Sequence, residues 1–303
     1  MRVLVTGASG FVGRKLLEEF KNQGDEVLGT YFTKEYPDLV KLDVTDPEAV
    51  TRAIKDFQPE MVIHAAAMGR PDDCQADPER AQQVNVEGTR NIVNVSRLIN
   101  STVAFISSVY VFDGKKKGPY RENDQTNPVN VYGETKARAE EIILSLPHHI
   151  ILRTDMIYGY NGEGMRNGLV GVVVNSQRPV LLDGKNVRQP LFLDDVRPAI
   201  MTLLNKEAFG ITHLAGTDTI TQFDIGRRIE ELVRDEPIIR EKTEEELISS
   251  TPRPKNSTMD TSRARSLGIN LKGIDESLKE LQHEFREVNG REGNRSSIDG
   301  KER

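Results

Sequence analysis

Short apolar runs alternate with longer segments of helical period through the first half of the chain. Arg2 to Thr6 and Glu26 to Tyr31 read as buried strands, followed by Val40 to Val44, Met61 to Ala65, Thr102 to Ser107 and His149 to Thr154. Val12, Leu16 and Phe20 recur every four residues and place one apolar stripe on a helix. Asp46-Pro47-Glu48 supplies a cap, a proline suited to the first helical position and a first-turn acid for a helix ending near Phe57. Asp77-Pro78-Glu79 repeats that signal ahead of a helix reaching about Ile99. This alternation predicts an α/β fold, a doubly wound parallel sheet with helices on both faces.

Beyond Met156 the texture changes. Gly159, Gly162, Gly164 and Gly168 crowd one stretch, read as a loop, and Gly171 to Asn175 is a short apolar run. Helical patterns return at about 194–206, 221–234 and 243–249, the last with Thr243 as N-cap, and 274–288 is the final amphipathic segment. Residues 289–303 hold Ile298 as their one large apolar residue, amid glycine and serine, and read as a flexible tail. The expected organisation is a nucleotide-binding domain over 1–155 and a smaller α/β substrate-binding cap over 156–288. Within the cap, about 189–205 is expected to return to the first domain.

Composition narrows the classes of function. The 303 residues carry 41 Lys+Arg against 47 Asp+Glu, a formal charge of −6, which argues against a general nucleic-acid binder. No run approaches the ~18 apolar residues of a membrane span, and the N-terminus enters a glycine motif with no apolar leader before it. One cysteine, Cys74, excludes a disulfide within the chain and suits a reducing compartment, so a cytoplasmic location is expected. Cys74 lies in the polar stretch Pro71-Asp72-Asp73-Cys74, read as a loop whose carboxylates disfavour thiolate. The five histidines show no metal-ligand spacing, and no metal site is expected. His64, at a strand end, reads as a packed, hydrogen-bonded histidine, and Lys115-Lys116-Lys117 as an exposed loop.

The chemistry begins at Thr6-Gly7-Ala8-Ser9-Gly10-Phe11-Val12-Gly13, three glycines between a strand and an amphipathic helix. The first permits a tight turn, the second lets backbone approach a pyrophosphate, and the third lets helix pack on strand. The helix N-terminus then offers unpaired N–H groups to phosphate, so Gly7, Ser9, Gly10, Phe11, Val12 and Gly13 are candidate cofactor residues in a Rossmann-type fold. An acid closing the second strand would mark NAD. Here Tyr31-Phe32-Thr33-Lys34 carries none, and Thr33 and Lys34 suit a 2′-phosphate; NADP is favoured and NAD left open. Asp43 and Val44, ending the third strand, are placed to meet adenine.

Tyr132-Gly133-Glu134-Thr135-Lys136 opens a helix, and its four-residue spacing puts Tyr132 and Lys136 on one face. An ammonium beside a phenol lowers the phenol's pKa, which makes it a usable proton donor. Ser107 and Ser108 close a strand at the carboxyl end of the sheet, where ligands of such sheets bind. A serine there can hydrogen-bond a carbonyl oxygen and turn it towards Tyr132.

With these motifs the sequence resembles the extended short-chain dehydrogenase/reductases, most closely the dTDP-4-dehydrorhamnose reductase family. The resemblance covers about 1–200 and also rests on Phe57 to Ala67, on Val84-Asn85-Val86-Glu87-Gly88-Thr89 and on Ser108 to Gly114. It implies that Tyr132 is the general acid and that Lys136 holds the nicotinamide ribose and tunes the tyrosine. It further implies that Ser108 completes the triad and that Ala65, Ala66, Ala67 and Asn85 line the cofactor cleft. The departures fall on the substrate side: Val109 stands where the family has Asp, and Met156 where it has Trp. Val187-Arg188-Gln189-Pro190 replaces its Gly-x-Pro-Thr, and His64 its Asn. Ser108, Val109, Met156 and Arg188 are the candidate substrate residues, Arg188 for a diphosphate because its planar fork suits bidentate contact.

The implied function is NAD(P)H-dependent reduction of a nucleotide-linked 4-keto-6-deoxy sugar. A nucleotide-sugar epimerase or dehydratase with bound NAD is the second reading. A third is a non-catalytic NADP-binding regulatory subunit, since the β-subunit of methionine adenosyltransferase is similar to this family. The expected partners are a nucleotide-sugar substrate and, as a homodimer, a second copy of the chain; nucleic acid and membrane are not expected.

Overall fold

The computed structural model describes residues 1–33, 35–160, 168–248 and 251–285. Its first half runs β1 (Arg2–Thr6), α1 (Phe11–Asn22), β2 (Glu26–Tyr31), β3 (Val40–Lys41), α2 (Pro47–Phe57) and β4 (Met61–His64). It continues through α3 (Pro71–Ala76), α4 (Pro78–Gln82), α5 (Gly88–Leu98), β5 (Thr102–Ser108), α6 (Val131–Ile143) and β6 (His149–Thr154). The second half holds β7 (Ile157–Tyr158), α7 (Gly168–Asn175), β8 (Val180–Leu182), β9 (Val187–Arg188), β10 (Leu191–Phe192) and α8 (Val196–Asn205). After these come β11 (Gly210–Leu214), β12 (Ile220–Thr221), α9 (Gln222–Val233), β13 (Ile239–Glu241), α10 (Glu244–Ile248), α11 (Ser262–Ser266) and α12 over 274–285.

Seven strands form one sheet in the order β11-β6-β5-β4-β1-β2-β3, every neighbouring pair parallel. The central strands are apolar on both faces because both are covered. Val3, Val5, Met61 and Ile63 join Leu16, Leu17 and Phe20 of α1 and Ile200 and Leu203 of α8. Leu4, Val62, Val103 and Phe105 join Val50 and Ile54 of α2, Ile92 of α5 and Ile143 of α6. A smaller cluster of Tyr158, Leu169, Val173, Leu182, Phe192, Ile225, Ile229 and Leu281 forms the core of the cap. The fold is the doubly wound, Rossmann-type α/β architecture that the strand–helix alternation predicts.

Several local differences have physical reasons. The run expected as one helix from 77 to 99 is helical throughout, but Gln83–Glu87 is a wider π turn between α4 and α5. The polar stretch at Pro71 is helix α3 rather than a loop, with Pro71 at its first position and Asp72 and Asp73 in its first turn. Gly168–Asn175 is a helix despite its valines, because burial against the cap outweighs their low propensity. The chain returns to the large sheet further than 189–205, since β11 pairs with β6. Gly162, Gly164, Lys34, Ser249 and the expected tail at 289–303 lie outside the described residues. Among the described residues no helix is long and apolar enough to cross a membrane.

Candidate active site

The glycine loop leaves the carboxyl end of β1 and turns at Gly7, whose φ of +67° lies in the left-handed region. A Cβ there would sit 2.7 Å from the backbone N and Cα of Ala66, and a Cβ at Gly13 would sit 2.3 Å from the Gly7 carbonyl oxygen. Loop, helix and the Ala65–Ala66 backbone are therefore in direct contact. Gly10 is the N-cap of α1, with no capping side chain, and the first turn holds no acid. By contrast α2, α6 and α9 each begin with a capping side chain and a first-turn acid, Asp46 and Glu48, Asn130 and Glu134, Thr221 and Asp224. A helix start stripped of both leaves its N–H groups and partial positive charge for an external anion. The cradle fits a dinucleotide pyrophosphate.

Around it, Ser9, Gly10, Phe11, Val12, Ala65 and Ala66 are half-buried and Ala67 is exposed. The ring of Phe11 packs on Gly168 at the start of α7. Tyr31 is half-buried at the end of β2 and Thr33 is exposed, while Arg80 on α4 reaches over the Phe32 ring, 5.7 Å from its centroid. Asp43 accepts from the Thr45 backbone N–H at 2.9 Å and its hydroxyl at 2.7 Å. Val44 is buried against Gly88, where a Cβ would come within 2.7 Å of its Cγ2.

A chain of polar groups ties this floor to the helix carrying Tyr132. The Ala66 N–H donates to the Thr6 hydroxyl at 3.3 Å, which lies 2.8 Å from His64 Nδ1. His64 Nε2 lies 3.0 Å from the Thr89 hydroxyl, which donates to the Asn85 carbonyl at 2.6 Å. Thr89 has spent its one proton, so it accepts from Nε2–H, and Nδ1 accepts from Thr6. Burial and the nearby charge of Lys136 lower His64 to about 3 and keep it neutral. Asn85, inside the π turn, accepts from Met68 N–H at 2.8 Å and donates to the Thr135 hydroxyl at 2.9 Å. Thr135 donates in turn to the Tyr132 carbonyl at 2.9 Å.

Ser108 ends β5 and Tyr132 opens α6, whose N-cap Asn130 accepts from the Gly133 N–H at 2.8 Å. The structure brings the two together closely enough for the Ser108 side chain to act on the Tyr132 phenol. Tyr132 keeps partial solvent access, yet its phenol lies deep enough that burial raises its pKa, with the Ser108 contact pulling it back. The expected acidification by Lys136 is not found; the other groups acting on the phenol are Tyr110 and Cys74. Lys136 is buried one turn along, its ammonium 4.2 Å from the centroid of the Phe105 ring, and burial lowers it to about 8.

The profile of the family described as "RmlD substrate binding domain" matches residues 1–287 of the chain. The chain belongs to this family. Methionine adenosyltransferase 2 subunit beta of Rattus norvegicus is 32% identical over 293 residues, covering 91% of this chain and 87% of that protein. The dTDP-4-dehydrorhamnose reductase of Aggregatibacter actinomycetemcomitans is 28% identical over 297 residues, covering 93% and 98%. Among solved structures, the dTDP-4-dehydrorhamnose reductase of Bacillus anthracis in complex with NADP superposes with a TM-score of 0.82 at 25% identity, covering 93% and 99%.

Most residues expected to contact a substrate are enclosed by their surroundings. Val109 is fully buried beside Val111, Phe112 and Tyr120, which leaves it no surface for a substrate in this state. Met156 is half-buried against the cap core. Arg188 does not stand free to take a diphosphate. It is buried, 3.8 Å from Asp155 Oδ1 and 3.4 Å from the Ser257 hydroxyl, so its charge is already met. Two neighbours of the Tyr132 phenol were not singled out from the sequence. Tyr110 meets Tyr132 edge-on at 5.7 Å, and its position two residues after Ser108 was a usable signal. Arg253, which acts on the Tyr110 phenol and pairs with Asp72 at 2.9 Å, arrives from a distant segment that nothing local marks. Cys74 is buried, its thiol donating to the Met68 carbonyl at 3.3 Å; burial first, then Asp73, pushes it up to about 11.

Proposed function

We propose that the chain reduces the 4-keto group of a nucleotide-linked 6-deoxy sugar, with NADPH as reductant. The single observation that carries this is the meeting of Ser108 with the Tyr132 phenol at the carboxyl edge of the sheet, with Lys136 one turn along the same helix. The bound dinucleotide supplies the hydride. Ser108 donates to the carbonyl oxygen and holds it against the phenol. Tyr132, kept protonated by burial, gives that oxygen its proton as a general acid. Lys136 holds the nicotinamide ribose. NADP is supported by the absence of a carboxylate at Tyr31-Phe32-Thr33 and by the NADP carried by the Bacillus anthracis relative. A cytoplasmic setting, expected from the lone Cys74, suits a reaction that draws on NADPH.

The deciding experiment incubates the chain with NADPH or NADH and a panel of nucleotide-linked keto sugars while absorbance at the nicotinamide band is followed. Loss of absorbance with one sugar supports the reading and names the substrate. NADPH binding with silence across the panel overturns it in favour of a regulatory, NADP-binding subunit. That second reading has its own support in the 32% identity to the adenosyltransferase subunit and in the buried Val109.

A further inference from the structure

Lys136 poses an electrostatic problem that the family resemblance does not address. It is buried to 4% exposure, and among the described residues no carboxylate lies within ion-pair distance of it. Burying a charged amine with no counter-ion is strongly unfavourable, and such a group ordinarily sheds its proton. The acid on the next turn, Glu140, raises Lys136 through its charge from beyond ion-pair distance, as Cys74 does more weakly, but its oxygens are occupied elsewhere. It takes the Arg153 guanidinium at 2.7 and 3.0 Å and the Ser107 hydroxyl at 2.5 Å, and both members of the ion pair are 3% exposed. What the ammonium does touch is a ring face, with Nζ 4.2 Å from the Phe105 centroid.

We propose that Phe105 is a positioning residue for Lys136: the face of its ring helps hold the ammonium charged, standing where a contacting carboxylate would otherwise be needed. A ring quadrupole attracts a cation most strongly where water is excluded, which is the case here. It also leaves the N–H donors that point away from the ring free for the hydroxyl groups of a ligand. A carboxylate would hold the same charge but occupy those donors. The surroundings are consistent with this arrangement. His64 stacks on Phe105 with centroids 5.7 Å apart, and the Thr6 and Thr89 contacts fix it in its neutral form. A cationic imidazole there would repel Lys136. The lysine's lowered value of about 8 still leaves most of the population protonated at neutral pH.

The inference rests on the reductase reading for its use in cofactor binding, but its test needs no turnover. Phenylalanine at 105 is replaced by mono-, di- and trifluorophenylalanine, which weaken the ring quadrupole with little change in volume. The ionisation midpoint of Lys136 is then read from the pH dependence of its acylation by acetic anhydride, located by mass spectrometry. The midpoint is expected to fall stepwise with each fluorine, by about one unit in total, a tenfold change in the ionisation constant. Phe105→Leu is expected to move it the same way. A midpoint constant across the fluorinated series would overturn the proposal, since a merely structural ring would leave it unmoved. Failure of the reductase reading is seen separately, as silence in the sugar assay.

Discussion

His64 Nδ1 lies 2.8 Å from the Thr6 hydroxyl, across two residues that face each other on the central strands β4 and β1. Two buried polar side chains at the carboxyl ends of the central strands persist because each is satisfied on both sides. His64→Leu would take the acceptor from the Thr6 hydroxyl and a donor from the Thr89 hydroxyl, leaving each with one backbone partner. Losing a buried hydrogen bond costs about 0.5–1.5 kcal/mol each, so Tm should fall. Dinucleotide affinity should fall with it, because the same chain holds the Ala66 backbone under Gly7. His64→Asn, which keeps a donor and an acceptor, should lose less on both measures in calorimetry and nucleotide titration.

Gly13→Ala is expected to abolish dinucleotide binding. A methyl group there meets the Gly7 carbonyl at 2.3 Å, and neither α1 nor the loop can yield without moving the cradle. Gly24→Ala is the control: Gly24 has positive φ, as Gly13 does not, but no atom lies within 4 Å of its added Cβ. That variant should show only a modest loss of thermal stability, on the order of 1 kcal/mol, with affinity unchanged.

Tyr132→Phe deletes the proton donor and leaves the ring in place. Turnover with a nucleotide-linked keto sugar should fall by about two to four decades, the range for losing a general acid. NADPH affinity should hold, because the glycine cradle and Lys136 are untouched. Equal turnover in the two chains would remove Tyr132 from its role.

The central sheet was legible because its strands are short apolar runs flanked by glycines and helix caps; β1, β2 and β6 begin and end where the pattern places them. β11 was not, since two of its residues are Thr212 and His213, polar yet fully buried. Nothing in their chemistry announces burial; only docking on β6 imposes it. The meeting of Ser108 and Tyr132 follows from rules that act locally, the carboxyl edge of a parallel sheet and the start of a helix. The setting of Lys136 does not, because Phe105 comes from another strand and its ring face is set by packing. The same is true of Arg188, whose neutralisation by Asp155 depends on how β9 returns to the end of β6.

Glu140→Gln should be among the most damaging single changes. Arg153 would stay buried with its counter-charge gone, and breaking such a pair costs about 3–5 kcal/mol, readable as a fall in denaturant midpoint. Glu140 also raises the Lys136 pKa through its charge, so the variant should carry Lys136 below about 8. Glu140→Gln with Arg153→Met removes both charges together and should recover part of the stability while Lys136 stays low.

Stability against pH should show a plateau made by opposing groups. Burial lowers His64 and His213 to about 3 from an ordinary 6.5, so within that range the unfolded chain binds protons that the folded chain refuses. Their effect is a loss of stability as pH falls through it. Burial raises Glu19 and Glu284, clustered around Lys15 and Asp194, to about 7 from an ordinary 4.5. Here the folded chain holds protons that the unfolded chain has released, and stability rises as pH falls from about 7 to 4.5. Where the two ranges overlap, two losses meet two gains and Tm should stay nearly level. Below the carboxylate range the histidines act without opposition, and aspartates held low, such as Asp183, add to the loss. His64→Asn removes one loss, so its Tm should climb as pH drops through the overlap. Glu284→Gln removes one gain, so its Tm should decline over the same interval. Calorimetric curves for both variants that run parallel to the parent would show that neither burial sets the acid response.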